Sequence, residues 1–175
     1  MFDHVTIRVS DRAASRRFYE TVLATLGIVG DHSAYDEWDD FSIAVAEEES
    51  RVTRGFHIGF PAPSRAGVDE FWRVGVEAGH RDDGPPGPRP EYGDDYYGGF
   101  LLDPDGNSAE AVHYSDHLRE DGTVDHLWIR VADVAASTRF YQQVAPFGGF
   151  RLNRELPDRS QFVGGTASFS VVAGE

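Results

Sequence analysis

An α+β fold assembled from a repeated strand–helix unit is what this sequence predicts, and three observations predict it. The first is a change of period within one stretch. From His4 to Val9 polar and apolar residues alternate, with Val5, Ile7 and Val9 on one face of a strand. Ala14, Phe18 and Val22 then fall on one stripe of a helix. Asp11 lies at the change and reads as the helix N-cap, because its short side-chain oxygen can accept an orphan N–H of the first turn. Gly27 supplies the left-handed residue that ends the helix. The second observation is that this stretch returns, without a gap, from Asp125 to Tyr141. Asp3, His4, Ile7, Arg8, Val9, Asp11, Ala13, Ala14, Ser15, Arg17, Phe18 and Tyr19 all recur at one constant offset, so His4 falls on His126 and Phe18 on Phe140. The third is that short strand patterns follow each helix.

Composition narrows the function classes. The formal charge is −14, from 30 acidic and 16 basic residues. A nucleic-acid partner requires clustered Lys and Arg, so that class is excluded. A soluble surface or an affinity for neutral or cationic small molecules fits better. There is no cysteine, hence no disulfide, no thiolate nucleophile and no sulfur-ligated metal. No apolar run approaches the roughly 20 residues of a membrane span, and the first residues lack a signal-peptide pattern. A cytoplasmic protein is expected.

The remaining elements follow in order. Ser33 to Trp38 and Phe41 to Ala46 read as strands joined by a turn at Asp39-Asp40. From Gly55 to Phe60 a further strand buries Phe56, Ile58 and Phe60 and turns His57 the other way, between two glycines that leave space above the sheet. Ser64 caps a second helix carrying Val68, Phe71 and Trp72, which Gly79 closes. Asp82 to Gly93, rich in Gly, Pro and Asp, reads as a loop over a site. Tyr96 to Leu102 and Asn107 to Tyr114 form a strand pair around the turn Asp103-Pro104-Asp105-Gly106, with Glu110 facing away from Ala109 and Ala111. After a charged connector the third unit begins. Pro146 is expected to shorten its helix, and Phe162-Val163 and Ala167 to Val172 are its remaining strands.

Three stretches, spanning residues 2 to 114, carry a resemblance. They are His4 to Val9 with Phe18-Tyr19, Phe56-His57-Ile58-Gly59-Phe60, and Leu102-Asp103-Pro104-Asp105-Gly106-Asn107 leading to Glu110. Their order resembles the vicinal oxygen chelate superfamily of glyoxalases, extradiol dioxygenases, fosfomycin-resistance thiol transferases, methylmalonyl-CoA epimerases and bleomycin-binding proteins. The resemblance implies repeated βαβββ modules, two of which form a cupped mixed sheet with outer helices. Residues 1–115 would be such a two-module domain, 116–122 a connector, and 123–175 a third module making a half-domain.

The resemblance also implies one divalent metal, Fe, Mn, Ni or Zn, on His4, His57 and Glu110, with Glu110 catalytic. Two imidazoles and a carboxylate leave coordination positions open for adjacent substrate oxygens. Arg8, Thr6, Tyr92 and Tyr97 are the expected substrate-binding residues, with Tyr92, Tyr97 and His113 also candidate acid–base groups or partners of a ligand. His113, however, alternates away from Glu110 and reads as structural. Glyoxalase I enzymes carry a further Glu late in the first module, where this sequence offers Ser42. That departure tells against the glyoxalase I reaction itself; the resemblance implies a glyoxalase-like lyase or isomerase acting on a molecule with vicinal oxygens, with dioxygenase or thiol-transferase chemistry next. The alternative is a metal-free protein sequestering an antibiotic, as bleomycin-binding relatives do. His32, His80 and His117 sit in polar turns and read as surface residues. His126 repeats His4, but no second histidine strand follows it, so the third units of two chains are expected to pair in a homodimer, with His126 a structural relic.

Overall fold

The structure, a computed structural model, describes residues 2–114, 122–165 and 167–174. The α+β class holds. The first unit contains β1 (Val5–Val9), α1 (Arg12–Ala24), β2 (Asp36–Trp38) and β3 (Phe41–Val45). The second contains β4 (His57–Pro61), α2 (Arg65–Glu77), β5 (Arg81–Pro88), β6 (Tyr97–Leu102) and β7 (Ser108–His113). The third contains β8 (His126–Val131), α3 (Val134–Gly148), β9 (Arg151–Leu156), β10 (Arg159–Gly164) and β11 (Ala167–Ala173).

The helix starts follow directly from local chemistry. Asp11 accepts from the Ala14 N–H at 3.0 Å, Asp133 from Ala136 at 2.8 Å and Ser64 from Gly67 at 3.1 Å. Two local expectations are corrected. Pro146 does not shorten α3, which runs to Gly148 and ends on left-handed Gly149, φ 68°. A proline in the last turn removes one backbone hydrogen bond, too little to stop a helix already packed on β9, β10 and β11. Most of the stretch read as a loop from Asp82 is strand β5. It lies at the edge of its sheet, where prolines leave no ladder bond unmade, and its register shifts at Gly84 and Gly87.

The units combine differently from the expected pairing. The first unit makes a three-stranded sheet of its own, β1-β3-β2, with β1 parallel to β3. The second and third units share an eight-stranded sheet, β5-β6-β7-β4-β8-β11-β10-β9. Its seam is the antiparallel pairing of β4 with β8, in which Ile58 lies opposite Leu127. The strand order is symmetric about that pair: β7 flanks β4 as β11 flanks β8. The third unit therefore finds its partner strand within its own chain. The connector before it falls almost wholly outside the described residues.

One apolar core runs under the helices. Phe18, Tyr19, Trp38, Phe41, Phe60 and Phe162 are fully or almost fully buried, each worth about 1.5–3 kcal/mol for burial of a large apolar side chain. Buried carboxylates tie the first unit to the rest. Asp105 accepts from the Ser10 N–H at 2.9 Å and the Ser10 hydroxyl at 2.6 Å. Asp103 accepts from the Tyr19 hydroxyl at 3.1 Å. Asp40 receives the backbone N–H groups of Thr123 and Val124 at 2.6 and 3.0 Å, which positions the entry into β8. The Asp-Pro-Asp-Gly stretch is thus a turn and a latch at once.

Candidate metal centre

Alternation along β4 buries Ile58 and Phe60 and turns His57 to the opposite face. On the neighbouring strand β7, Glu110 pairs in register with Gly59. Across the seam, His126 of β8 also lies opposite Gly59. A side chain at 59 would occupy the space that the His126 ring takes: a Cβ there would fall 2.2 Å from Cε1. Gly98 does the same for Glu110, since a Cβ at 98 would lie 2.4 Å from Oε1. Two glycines thus make room for two polar side chains above the sheet.

Three potential ligand atoms converge. His57 Nε2 is 2.9 Å from His126 Nε2 and 3.1 Å from Glu110 Oε2, and His126 Nε2 is 3.1 Å from that same oxygen. Glu110 is 1% exposed and His126 8%. Their outer atoms are held as well. His126 Nδ1 donates to Asp125 Oδ1 at 2.8 Å, Tyr114 donates to Asp125 Oδ2 at 2.6 Å, and Tyr96 donates to Glu110 Oε1 at 2.8 Å. A histidine whose Nδ1–H is engaged by a carboxylate presents the Nε2 lone pair, the arrangement that orients imidazole ligands. The two nitrogens and one oxygen, aimed at a common point and supported from behind, fit a divalent cation.

The charges of Glu110 and His57 agree with that fit, while His126 would have to give up a proton for an ion to bind. Burial pushes the Glu110 carboxyl up, but hydrogen bonds and charge from His126 and His57 outweigh it and hold it down to about 2. Burial opposes protonation of His126, yet Asp125 and Glu110 draw its value up to about 10. His57 is lowered by burial and by the neighbouring His126 charge, with Glu110 opposing. Tyr96 is held well above its ordinary value by burial and by Glu110, so its phenol remains a donor. In the metal-free protein a proton on His126 balances the buried carboxylate.

The residues expected from sequence divide into two groups. His57 and Glu110 meet in this centre, and Tyr92 lines the cavity above it. His4 does not join them. It stands before β1 in the three-stranded sheet, its side chain 70% exposed and bonded to the adjacent Asp3. Thr6 and Arg8 share that exposed face: Thr6 bonds to Ser42 at 2.8 Å, and Thr53 caps the Arg8 N–H at 2.9 Å. Tyr97 points elsewhere, donating to Asp69 of α2 at 2.8 Å. The His113 ring donates to the Ala62 carbonyl at 3.0 Å. His32 is not a free surface residue, because Glu20 and Asp36 flank its ring at 3.0 and 3.2 Å. His117 lies outside the described residues.

Sequence reasoning gave His126 no role at the site, and it missed Asp125 and Tyr96. The available signal was the repeat itself, since His126 copies His4 and the dipeptide Asp125-His126 copies Asp3-His4. The symmetry of the sheet identifies one more position. Glu110 pairs across from Gly59 on β4, and the matching position opposite Trp128 on β8 is Ser170. A buried serine stands where a second carboxylate would complete a symmetric set.

A cavity of about 770 Å³ opens over the centre, with Phe100, Trp128, Tyr92 and Tyr96 in its walls. The fold and site together define an α+β protein with a two-histidine, one-carboxylate group at the floor of a sheet-lined cup. Residues 1–111 match the Glyoxalase/Bleomycin resistance protein/Dioxygenase superfamily, and the chain belongs to it. It is similar to a glyoxalase/bleomycin resistance protein from Albidiferax ferrireducens T118, at 33% identity over 66% of this chain and 99% of the other, TM-score 0.56. It also shares its fold with glyoxalase I from Zea mays, at 18% identity over 99% of this chain and 68% of the maize chain, TM-score 0.68. No functionally curated protein matches. Among the described residues no helix is long and apolar enough to cross a membrane.

Proposed function

We propose that this protein is a metal-dependent, glyoxalase-like enzyme of the lyase or isomerase type, acting on a small molecule with two neighbouring oxygens. The observation that carries this reading is the convergence of His57 Nε2, His126 Nε2 and Glu110 Oε2 within 2.9–3.1 Å of one another. A divalent ion held there supplies Lewis-acid polarisation of adjacent substrate oxygens. The chain supplies the rest. Asp125 holds the His126 tautomer, Tyr96 holds one Glu110 oxygen and leaves the other directed into the cup, and Trp128 and Phe100 limit water around the site. With Ser170 in the symmetric position, Glu110 is the sole carboxylate in this set, and it is the residue we place at the chemistry.

The same donor set suits Fe(II), Mn, Ni or Zn, and a two-histidine, one-carboxylate face with open positions also serves oxygenases. That observation keeps a dioxygenase as the second reading. The rival from another class is metal-free sequestration of a drug of the bleomycin type, which the net charge of −14 would suit. Elemental analysis of the purified protein separates the two. One divalent ion per chain, lost in His57→Ala, supports the enzyme. Absence of any ion in protein prepared with metals supplied sinks it.

A second copy is the partner we propose. Phe18 is fully buried where α1 packs on α2, but its repeat-mate Phe140 on α3 is 58% exposed and Phe147 is 91% exposed. Two copies meeting through α3 would cover a helix face that the repeat covers elsewhere in this same molecule.

A further inference from the structure

We propose that the cavity wall built by β9 and β10 is a binding site for an anionic group of the substrate, a carboxylate or a phosphate monoester, carried beyond a planar spacer from the His57–Glu110–His126 centre. The assignment rests on the reading above only for where the reacting end of the substrate lies.

The first argument is charge accounting. The chain carries 30 acidic and 16 basic residues, and among the described residues five arginines are taken up in ion pairs outside the cavity wall formed by β9 and β10. Arg12, Arg16, Arg54, Arg65 and Arg73 each stand against an Asp or Glu. Arg154 and Arg159, both lining the cavity, have no carboxylate within ion-pair distance among the described residues. Two unpaired guanidinium groups on one wall of a concave site form a fork suited to an anion.

The second argument is a backbone irregularity that aims them. Gln161 pairs with Arg154 and the next residue, Phe162, pairs with Leu152, so Asn153 is an extra residue in the ladder. In a regular strand consecutive side chains face opposite ways. Here the bulge turns both Asn153 and Arg154 into the cavity, and Asn153 donates to Gln161 at 3.0 Å.

The third argument is distance. The Arg159 guanidinium lies 5.2 Å over the Trp128 ring, and that ring is 5.1 Å from the His57 ring. The basic wall is thus one indole removed from the centre, with an aromatic surface between them. A molecule that reaches both needs a flat, apolar middle. Asp83 of β5, at the other end of the sheet from β9, also lines the cavity and repels an anion, which sets the direction in which such a molecule lies.

The test measures binding of phenyl phosphate, 3-phenylpropanoate and neutral benzyl alcohol to the 175-residue protein by calorimetry. The comparison proteins are Arg159→Gln and Arg154→Gln, and neither substitution touches the packed core. Phenyl phosphate is expected to bind at least tenfold more tightly than benzyl alcohol, and each substitution is expected to remove most of that advantage. If 3-phenylpropanoate outranks phenyl phosphate, the anion is a carboxylate; the reverse order assigns a phosphate. Equal binding of all three probes, or arginine variants that bind like the parent, overturns the proposal. Determining the metal content of the parent protein used in the titration, prepared with metals supplied, separates the two readings. Arginine-dependent binding that persists in a protein without metal leaves this site standing and removes the metalloenzyme, whereas a metal-loaded protein indifferent to both arginines does the opposite.

Discussion

Gly59 and His126 face each other across the β4–β8 seam so closely that a Cβ on the glycine would fall 2.2 Å from the imidazole Cε1. The absence of a side chain at 59 is therefore a condition for the centre. Gly59→Ala must push the ring away from His57 and Glu110. We expect a loss of about 1–3 kcal/mol in denaturant unfolding, the usual cost of overpacking a filled site, together with loss of bound metal by elemental analysis. An alanine variant that keeps both would show that the ring has room to move.

The repeat allows a sharp comparison between two histidines in the same local sequence. His4→Ala is expected to leave metal content and stability unchanged, because that side chain is 70% exposed and, among the described residues, bonded only to Asp3. His126→Ala is expected to abolish stoichiometric metal. Asp125→Asn, which keeps the shape but weakens the support of His126, should lower metal affinity about 10–100-fold. Competition with a chromogenic chelator measures all three. Equal effects of the two alanine variants would refute the assignment.

The metal-free protein should show a stability plateau bounded by the two partners. Glu110 is lowered from 4.5 to about 2, so its contribution is complete above about 4.5 and is lost as pH falls through 2. The His126 value is raised from 6.5 to about 10, so its contribution is complete below about 6.5 and fades as pH climbs through 10. The acid limb is worth about 3 kcal/mol at most. Unfolding free energies of protein stripped with chelator, measured from pH 3 to 10, check this; Glu110→Gln should flatten the acid limb. Near pH 7 metal uptake should expel about one proton from His126, which titration in two buffers of different ionisation enthalpy reads directly.

The latch at Asp105 joins the first unit to the second. Its buried carboxylate accepts two hydrogen bonds from Ser10 and lies beside Arg54. Asp105→Ala strands those donors and should cost about 1–3 kcal/mol in urea unfolding, with the metal content unaltered. A variant as stable as the parent would mean that the Asp105 latch does not hold the two sheets together.

The exposed α3 face predicts the oligomer. Light scattering of the parent chain should give twice the monomer mass, and Phe140→Asp should give the monomer with an unchanged circular dichroism spectrum. A monomeric parent chain removes the dimer.

Legibility in the sequence follows a physical boundary. The N-caps at Asp11, Ser64 and Asp133, the alternation around His57 and Ile58, and the Asp103–Gly106 turn were readable because each depends on neighbours a few residues away. Strand β5 was hidden because edge position, which excuses its prolines, is a property of the whole sheet. Strand β9 had no apolar alternation to announce it, since most of its side chains face water.

His4 and His126 carry the lesson furthest. The residues around them are nearly the same, so local chemistry gives both the same strand, cap and helix, and it put His57 and Glu110 in the site. Nothing within either stretch says which histidine joins them. That choice is made by long-range strand pairing: β8 docks antiparallel on β4 beside a glycine, while β1 pairs with β3 in a separate sheet. Secondary structure and the donor inventory were in the chain from the start, because they are local. The assembly of the centre belongs to the fold, because bringing His57, Glu110 and His126 to one point takes contacts between residues far apart in the chain.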